Sequence, residues 1–184
     1  MATLYIAFDS VLKFQGDAIV NAANTGCLGG GGIDRMVNDL GDDEIWKARQ
    51  ALPALDSHGY KRCETGDANI TIAGNLPCSK VIHAVGPRFG YMNHEENLLK
   101  LEETYKSAME RAQENGLTSV GFCIISAGIF RGNCPLDTVI KTALESIAKY
   151  AYAGLQTVVF CGYTPEERHV ITHLAEGIRA ACTA

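Results

Sequence analysis

The sequence has no excess of positive charge. Sixteen Lys and Arg against 21 Asp and Glu leave a formal net charge of -5, which argues against a nucleic-acid backbone as the main partner, since such surfaces are basic. A small anionic ligand stays open, because backbone N–H groups bind phosphate without Lys or Arg. No stretch approaches the roughly 18 consecutive apolar residues of a membrane span. Met1 to Phe14 hold a short apolar run broken by Asp9 and no basic leader, so no targeting segment is expected, and the location expected is the cytoplasm, with the nucleus also open. No CxxC pair occurs among the seven cysteines, so no metal is expected. Their odd number and apolar settings, as at Cys123 and Cys161, fit reduced, buried thiols. No repeat, low-complexity tract or linker divides the chain. Its 184 residues, 47% hydrophobic and 20% charged, fit one domain over 1–184, expected to act as a monomer.

What is present alternates. Short apolar or β-branched runs at Leu4–Phe8, Ala18–Asn21, Lys80–Val85, Ser119–Ile125 and Gln156–Cys161 read as strands. Three are nearly continuous apolar runs, as central strands covered on both faces are. Between them, Glu95–Asn115 puts Leu98, Leu101, Tyr105, Ala108, Met109 and Ala112 on one helical face. Pro135–Tyr152 and Pro165–Ala181 each open on a proline suited to a first helical turn. Val139, Ile140, Ala143, Leu144 and Ile147 line the inner face of one. Val170, Ile171, Leu174 and Ile178 line that of the other. The alternation predicts an α/β fold, a three-layer α/β/α sandwich around a central mixed sheet. Ligands of such sheets bind beyond the carboxyl ends of the strands.

The loops there carry the strongest signal. Val20-Asn21-Ala22-Ala23-Asn24-Thr25-Gly26-Cys27-Leu28-Gly29-Gly30-Gly31-Gly32-Ile33-Asp34 runs from a strand through four consecutive glycines into a helix. Four glycines are entropically costly, so a ligand is expected close against that backbone, and the helix start adds partial positive charge for an anion. No Gly-Lys-Ser/Thr follows, so this is not a Walker loop. It is not a dinucleotide fingerprint either, because Arg35 stands where the last glycine is required. A second loop, Ser126-Ala127-Gly128-Ile129-Phe130-Arg131-Gly132, follows a buried strand in the same way. Ser126 is not a nucleophile elbow, which needs glycine at Ile124.

These two segments, with Cys63-Glu64-Thr65-Gly66-Asp67-Ala68 and Val81-Ile82-His83-Ala84-Val85-Gly86-Pro87 in order between them, resemble the MacroD-type macrodomain family. The resemblance implies a site for ADP-ribose and ADP-ribosylated proteins. It also implies hydrolysis of ADP-ribose from acidic side chains or of O-acetyl-ADP-ribose, without a cofactor. Position by position, Asn24 resembles the residue holding the distal ribose and Asp34 the catalytic acid. Gly30, Gly31, Gly32 and Ile33 resemble the first phosphate loop, bordered by Ala22. Ser126, Ala127, Gly128, Ile129 and Phe130 resemble the second, with Phe130 against the distal ribose. Asp9, with Ser10 beside it, resembles the carboxylate that accepts the adenine amino group, although its spacing to Asn21 is one residue longer than usual, and a capping Asp is the alternative. Tyr163 either stacks on adenine or packs. Asn21 is expected to tie loops together through its amide.

The residue types fit the chemistry. Cleaving a ribosyl ester takes positioned hydroxyls, a water and a carboxylate to orient or deprotonate it. The bland alternative for Asp34 is a helix cap. Arg35 and Arg131 stand where the family commonly has glycine, so each guanidinium pairs with the diphosphate, crowds the distal ribose or points to solvent. They keep open a module that reads ADP-ribose without cleaving it. His169 and His173 lack the intervening Glu of a zinc motif, His83 reads as a core histidine, and Cys27, between Asn24 and the glycines, is a loop thiol that solvent could reach, with no neighbouring base.

Overall fold

The computed structural model describes residues 2–183, with side chains to residue 176. Its strands are β1 (Thr3–Ala7), β2 (Ala18–Ala23), β3 (Ala68–Ile72), β4 (Lys80–Val85), β5 (Ser119–Phe122) and β6 (Thr157–Cys161). They form one sheet in the order β1-β6-β5-β2-β4-β3, parallel except for β3, which runs antiparallel to β4. The helices are α1 (Ile33–Gln50), α2 (His94–Glu114), α3 (Leu136–Tyr150) and α4 (Pro165–Thr183). α2 packs on α3 and α3 on α4, while α1 lies against β2 and β3, giving the mixed-sheet α/β/α sandwich. Among the described residues no helix is long and apolar enough to cross a membrane.

The apolar periodicities mark the core. Ile19, Val20, Val81, Ile82, Val120, Phe122 and Phe160 are buried in the central strands, and Leu101, Tyr105, Val139, Ile140 and Ile171 close on them from the helices. Ile178 lies outside the described side chains. β3 is not among the strands read from the sequence: Ala-Asn-Ile-Thr-Ile is a short edge strand that depends on pairing with β4. β1 is as apolar as the central strands, yet it is the opposite edge, with Leu4, Tyr5 and Ile6 exposed. The expected strand Ser119–Ile125 leaves the ladder after Phe122 because the Ile125 N–H donates to the Tyr105 hydroxyl at 3.1 Å.

α1 is the element that shapes the site. It bends sharply at Asp42 (φ 62°, ψ -166°), a conformation normally left to glycine. The bend is fastened from β3's far end, where the Asn75 N–H donates to the Gly41 carbonyl at 3.2 Å. Gly74 (φ 58°) lies flat against that carbonyl, and a Cβ there would overlap the Gly41 oxygen. Gly74→Ala therefore combines left-handed strain with a backbone clash. It is expected to lower the unfolding free energy by about 2–4 kcal/mol, measured by urea denaturation.

Candidate functional site

Because β1, β6, β5, β2 and β4 are parallel, their carboxyl ends share one edge of the sandwich. The loops leaving them surround a cleft of about 450 Å³. Every residue assigned from the sequence lines it: Asp9 and Ser10 after β1, Tyr163 after β6, Ser126 to Phe130 after β5, and Ala22, Asn24 and Gly30 to Asp34 after β2. Sheet order makes the cleft directional. Asp9 and Tyr163 stand at the β1–β6 end, and Asn24 and Asp34 at the β2–β4 end, with Gly86 beside them. Among the described residues no Lys or Arg lines it. An anion entering here would meet backbone N–H groups, among them those of the first turn of α1, which have no helical carbonyl to bond.

In the first loop Gly32 turns the chain at φ 60° into α1, and a Cβ on Gly31 would meet open space, the cleft itself. Asn24 binds its own loop: its Nδ2 donates to the Gly29 carbonyl at 3.1 Å, and its Oδ1 accepts from the Gly26 N–H at 3.1 Å. One donor and one acceptor position remain for a ligand. Asp34 is not the cap of α1, a place held by Gly32. It is 2% exposed, and its Oδ1 accepts from Asn21 Nδ2 and from Arg49 Nη2, each at 2.7 Å. On a straight helix residues 34 and 49 would stand about 22 Å apart, so this ion pair exists because α1 bends back at Asp42. The Arg49 side chain is wholly buried. It also donates to the Cys27 carbonyl and, at 2.9 Å, to Asn38 Oδ1, while Asn38 donates to the Leu28 carbonyl at 2.8 Å.

Behind Asp34 the hydrogen bonds form a chain. The second proton of Asn21 Nδ2 points to His83 Nδ1 at 3.2 Å, and His83 Nε2 faces Thr71 Oγ1 at 2.9 Å, whose hydroxyl donates to the Ile72 carbonyl. This order makes His83 a neutral Nε2–H tautomer, and burial, with the nearby Arg49 charge, keeps its pKa well below the ordinary value. The opposite amide orientation of Asn21 would face its oxygen to the Asp34 carboxylate, so the network fixes it. Asp34 Oδ2 is buried and has no partner among the described residues. A Cβ on Gly30 would lie 3.3 Å from it and 3.1 Å from Asn24 Nδ2, which places both polar groups at the same wall of the cleft.

The second loop turns at Ser126, whose φ of 58° is unusual for a side-chain-bearing residue. Its hydroxyl donates to the Pro87 carbonyl at 2.8 Å. Arg131 neither enters the cleft nor points to solvent. It donates to the carbonyls of Ala127 at 3.1 Å and Cys134 at 3.2 Å and lies 3.6 Å from Glu166, bracing the loop from behind. Arg35 points outward to Asp39.

At the other end the Lys13 ammonium and the Ser10 N–H, both bonded to the Asp9 carboxylate, hold its pKa below the ordinary value. Ser10, rather than Asp9, caps the following turn. Tyr163 is exposed at the rim, its N–H held by Glu167. Sequence reasoning missed Glu167, Val11, Leu12, Cys123, Ile125 and Cys161, all on the cleft wall, and Arg49 behind it. Glu167 had a signal: Thr164 and Glu167 form a capping box, with bonds of 3.2 and 3.0 Å. Burial pushes the Cys123 thiol up to about 12 and Cys161 to about 11. Cys27, expected at the surface, is fully buried at φ 53°, packed with Cys63, Ala23 and Val85. A hydrogen bond from Cys63 pulls its pKa down. His169 and His173 are exposed. Among the described residues no three of His, Cys, Asp and Glu gather as a metal site requires.

A family model described as Macro domain matches residues 20–143. The chain is 32% identical over 173 residues to an Escherichia fergusonii protein named O-acetyl-ADP-ribose deacetylase, covering 93% of this chain and 94% of the relative. The Oceanobacillus iheyensis macrodomain with ADP superposes at a TM-score of 0.85 with 26% identity, covering 98% of this chain and 93% of that one. The Trypanosoma brucei macrodomain in complex with ADP-ribose gives 0.76 and 30%, covering 91% and 66%. The Oceanobacillus iheyensis protein has also been solved as an asparagine-to-alanine and an aspartate-to-alanine mutant, at two positions with the sequence separation of Asn24 and Asp34.

The buried pair makes a stability prediction that needs no ligand. Arg49→Met leaves Asp34 charged and unpaired, an expected loss of about 3–5 kcal/mol. In Asp34→Leu/Arg49→Met both charges are gone, and the double variant should lose clearly less than the sum of the single ones in a denaturant double-mutant cycle.

Proposed function

Because the chain belongs to the macro domain family, we propose that it binds ADP-ribose and hydrolyses its esters, cleaving O-acetyl-ADP-ribose and ADP-ribose linked to Glu or Asp side chains. The observation that carries this reading is Asp34 Oδ2: a buried carboxylate oxygen with no partner among the described residues, at the same cleft wall as Asn24. Its name-bearing relative and the spacing of the mutated pair in the solved neighbour support it.

On this reading the roles divide along the cleft. Adenine lies at the β1–β6 end, between Asp9 and Tyr163 and over the apolar wall of Val11, Leu12, Cys123 and Cys161. The diphosphate crosses the N–H groups of Gly30 to Ile33 and of Gly128 to Phe130. The distal ribose then reaches Asn24, whose free amide proton and lone pair fix a hydroxyl. Asp34 Oδ2 accepts a hydrogen bond from the attacking water or from that hydroxyl and aims it at the ester. Asn21 and Arg49 occupy Oδ1 and so leave Oδ2 as the oxygen that acts. They are positioning residues. Water adds to the ester carbonyl, the carbon–oxygen bond to the ribose breaks, and the products are the carboxylic acid and free ADP-ribose. Arg35 and Arg131 both lie outside the cleft, which removes the side chains on which a reader without turnover rested.

Asp34→Ala should cut turnover of O-acetyl-ADP-ribose by about 10²-fold or more. The variant also leaves Arg49 without its carboxylate, so its fold is checked by circular dichroism, and its affinity for ADP-ribose by calorimetry should fall far less than its turnover. Turnover persisting in Asp34→Ala would overturn the assignment. Asn24→Ala should lower turnover and affinity together, since the same amide holds both ligand and loop. Gly31→Glu, which fills the open space over the first loop, should abolish binding of ADP-ribose, expected near micromolar or tighter in the parent protein, about -8 kcal/mol. Unchanged affinity would move the phosphates elsewhere.

A further inference from the structure

The cleft has a way out at its catalytic end. β4 lies beside β2 with Ala23 opposite Val85, so the segment that leaves β4, Gly86 to Met92, begins next to Asn24. It is tied to the second loop by the Phe89 N–H, which donates to the Phe130 carbonyl at 2.8 Å, and by Ser126 on Pro87. Together these form the rim that anything attached to the distal ribose must pass.

That rim carries exposed apolar side chains around one cation. Ile129 is 82% exposed and Tyr91 74%, with Met92 also exposed. Among them stands Arg88, exposed and in no ion pair among the described residues. Its guanidinium lies 4.9 Å from the centre of the Tyr91 ring and 5.9 Å from that of Phe130. Both aromatic contacts steady the planar group without using its N–H donors. In a chain of net charge -5, this is a fixed, unneutralised cation with apolar flanks, at the mouth where the leaving acid emerges.

We propose that the Arg88 rim docks the acceptor polypeptide of an ADP-ribosylated protein and selects one with a carboxylate next to the modified residue. Arg88 binds that carboxylate through paired N–H donors, and Tyr91, Met92 and Ile129 cover the adjoining chain. The inference rests on the hydrolase reading for the direction in which the substrate lies, and it distinguishes two substrates that reading leaves equal. A protein-linked ester touches the rim; O-acetyl-ADP-ribose is too small to do so.

The test compares the parent protein and Arg88→Gln on three substrates: O-acetyl-ADP-ribose, a peptide with ADP-ribose on Glu flanked by Asp, and the same peptide flanked by Asn. The parent should favour the Asp-flanked peptide over the Asn-flanked one by about fivefold in kcat/KM, the worth of a well-held partly exposed charge pair, and the preference should shrink as salt is raised. Arg88→Gln should abolish that preference and leave O-acetyl-ADP-ribose turnover within twofold. Equal losses on all three substrates, or a preference that survives Arg88→Gln, would overturn the proposal. Calorimetry with hydrolysis-resistant amide analogues of the two peptides reads the same preference without turnover. A parent protein that binds the analogues with the Arg88-dependent preference but cleaves nothing would sink the hydrolase reading and leave the docking surface standing. Equal affinities for the two analogues would sink the docking surface by itself.

Discussion

A charged pair under the floor of the cleft sets the terms for everything around it. Removing an arginine and an aspartate from water costs several kcal/mol per ion, recovered only if their remaining donors and acceptors are met. Arg49 meets its own with Asp34, the Cys27 carbonyl and Asn38. Those three partners are the carboxylate at the β2–β4 end of the cleft and the two anchor points of the loop that precedes the glycines. The bend at Asp42 and the Gly41–Gly74 contact are the means by which one guanidinium reaches all three, while neutral His83 holds the Asn21 amide on the same carboxylate oxygen. The loop geometry is thus fixed from below, leaving the upper face of the glycines free for a ligand.

This arrangement divides labour between the oxygens of Asp34. Oδ1 is taken up by Asn21 and Arg49, and Oδ2 has no partner among the described residues. Asn24 is divided similarly, with one proton and one lone pair holding its loop and the other of each facing outward. Both side chains are therefore held in position before a ligand arrives, which is what orienting a water or a hydroxyl requires. The parallel order of β1, β6, β5, β2 and β4 supplies the other constraint: it sets the loops in a row, so that an elongated ligand has one way to lie.

Much of this was legible in the sequence because apolar runs and consecutive glycines have direct physical meanings. The central strands and α2, α3 and α4 followed from periodicity, and the loop residues from glycines that no ordinary turn needs. Arg49 was not legible, since its contact with Asp34 depends on a helix bending at a residue whose type does not announce the bend. β3 was hidden because five alternating residues gain their strand character from β4. Cys27 was misplaced for a related reason: a thiol in a polar, glycine-rich stretch reads as exposed, but its left-handed backbone turns it inward. For Arg131 the sequence left three alternatives, and the Ala127 and Cys134 carbonyls supplied an unlisted fourth. The rim after β4 went unread beyond Gly86 and Pro87, since Arg88, Tyr91 and Met92 fall in no motif or periodic run.

The absence of Lys and Arg from the cleft wall has a consequence for competition among nucleotides. A pocket built from cations attracts whichever ligand carries most charge, and in a nucleotide-rich solution a triphosphate would outbid a diphosphate. If the amide N–H groups of the two loops carry the diphosphate, they offer fixed positions and no pool of charge, so an added phosphate gains little from the wall itself. Such a cleft would measure length more than charge, which suits the proposed ligand, whose far end is a ribose.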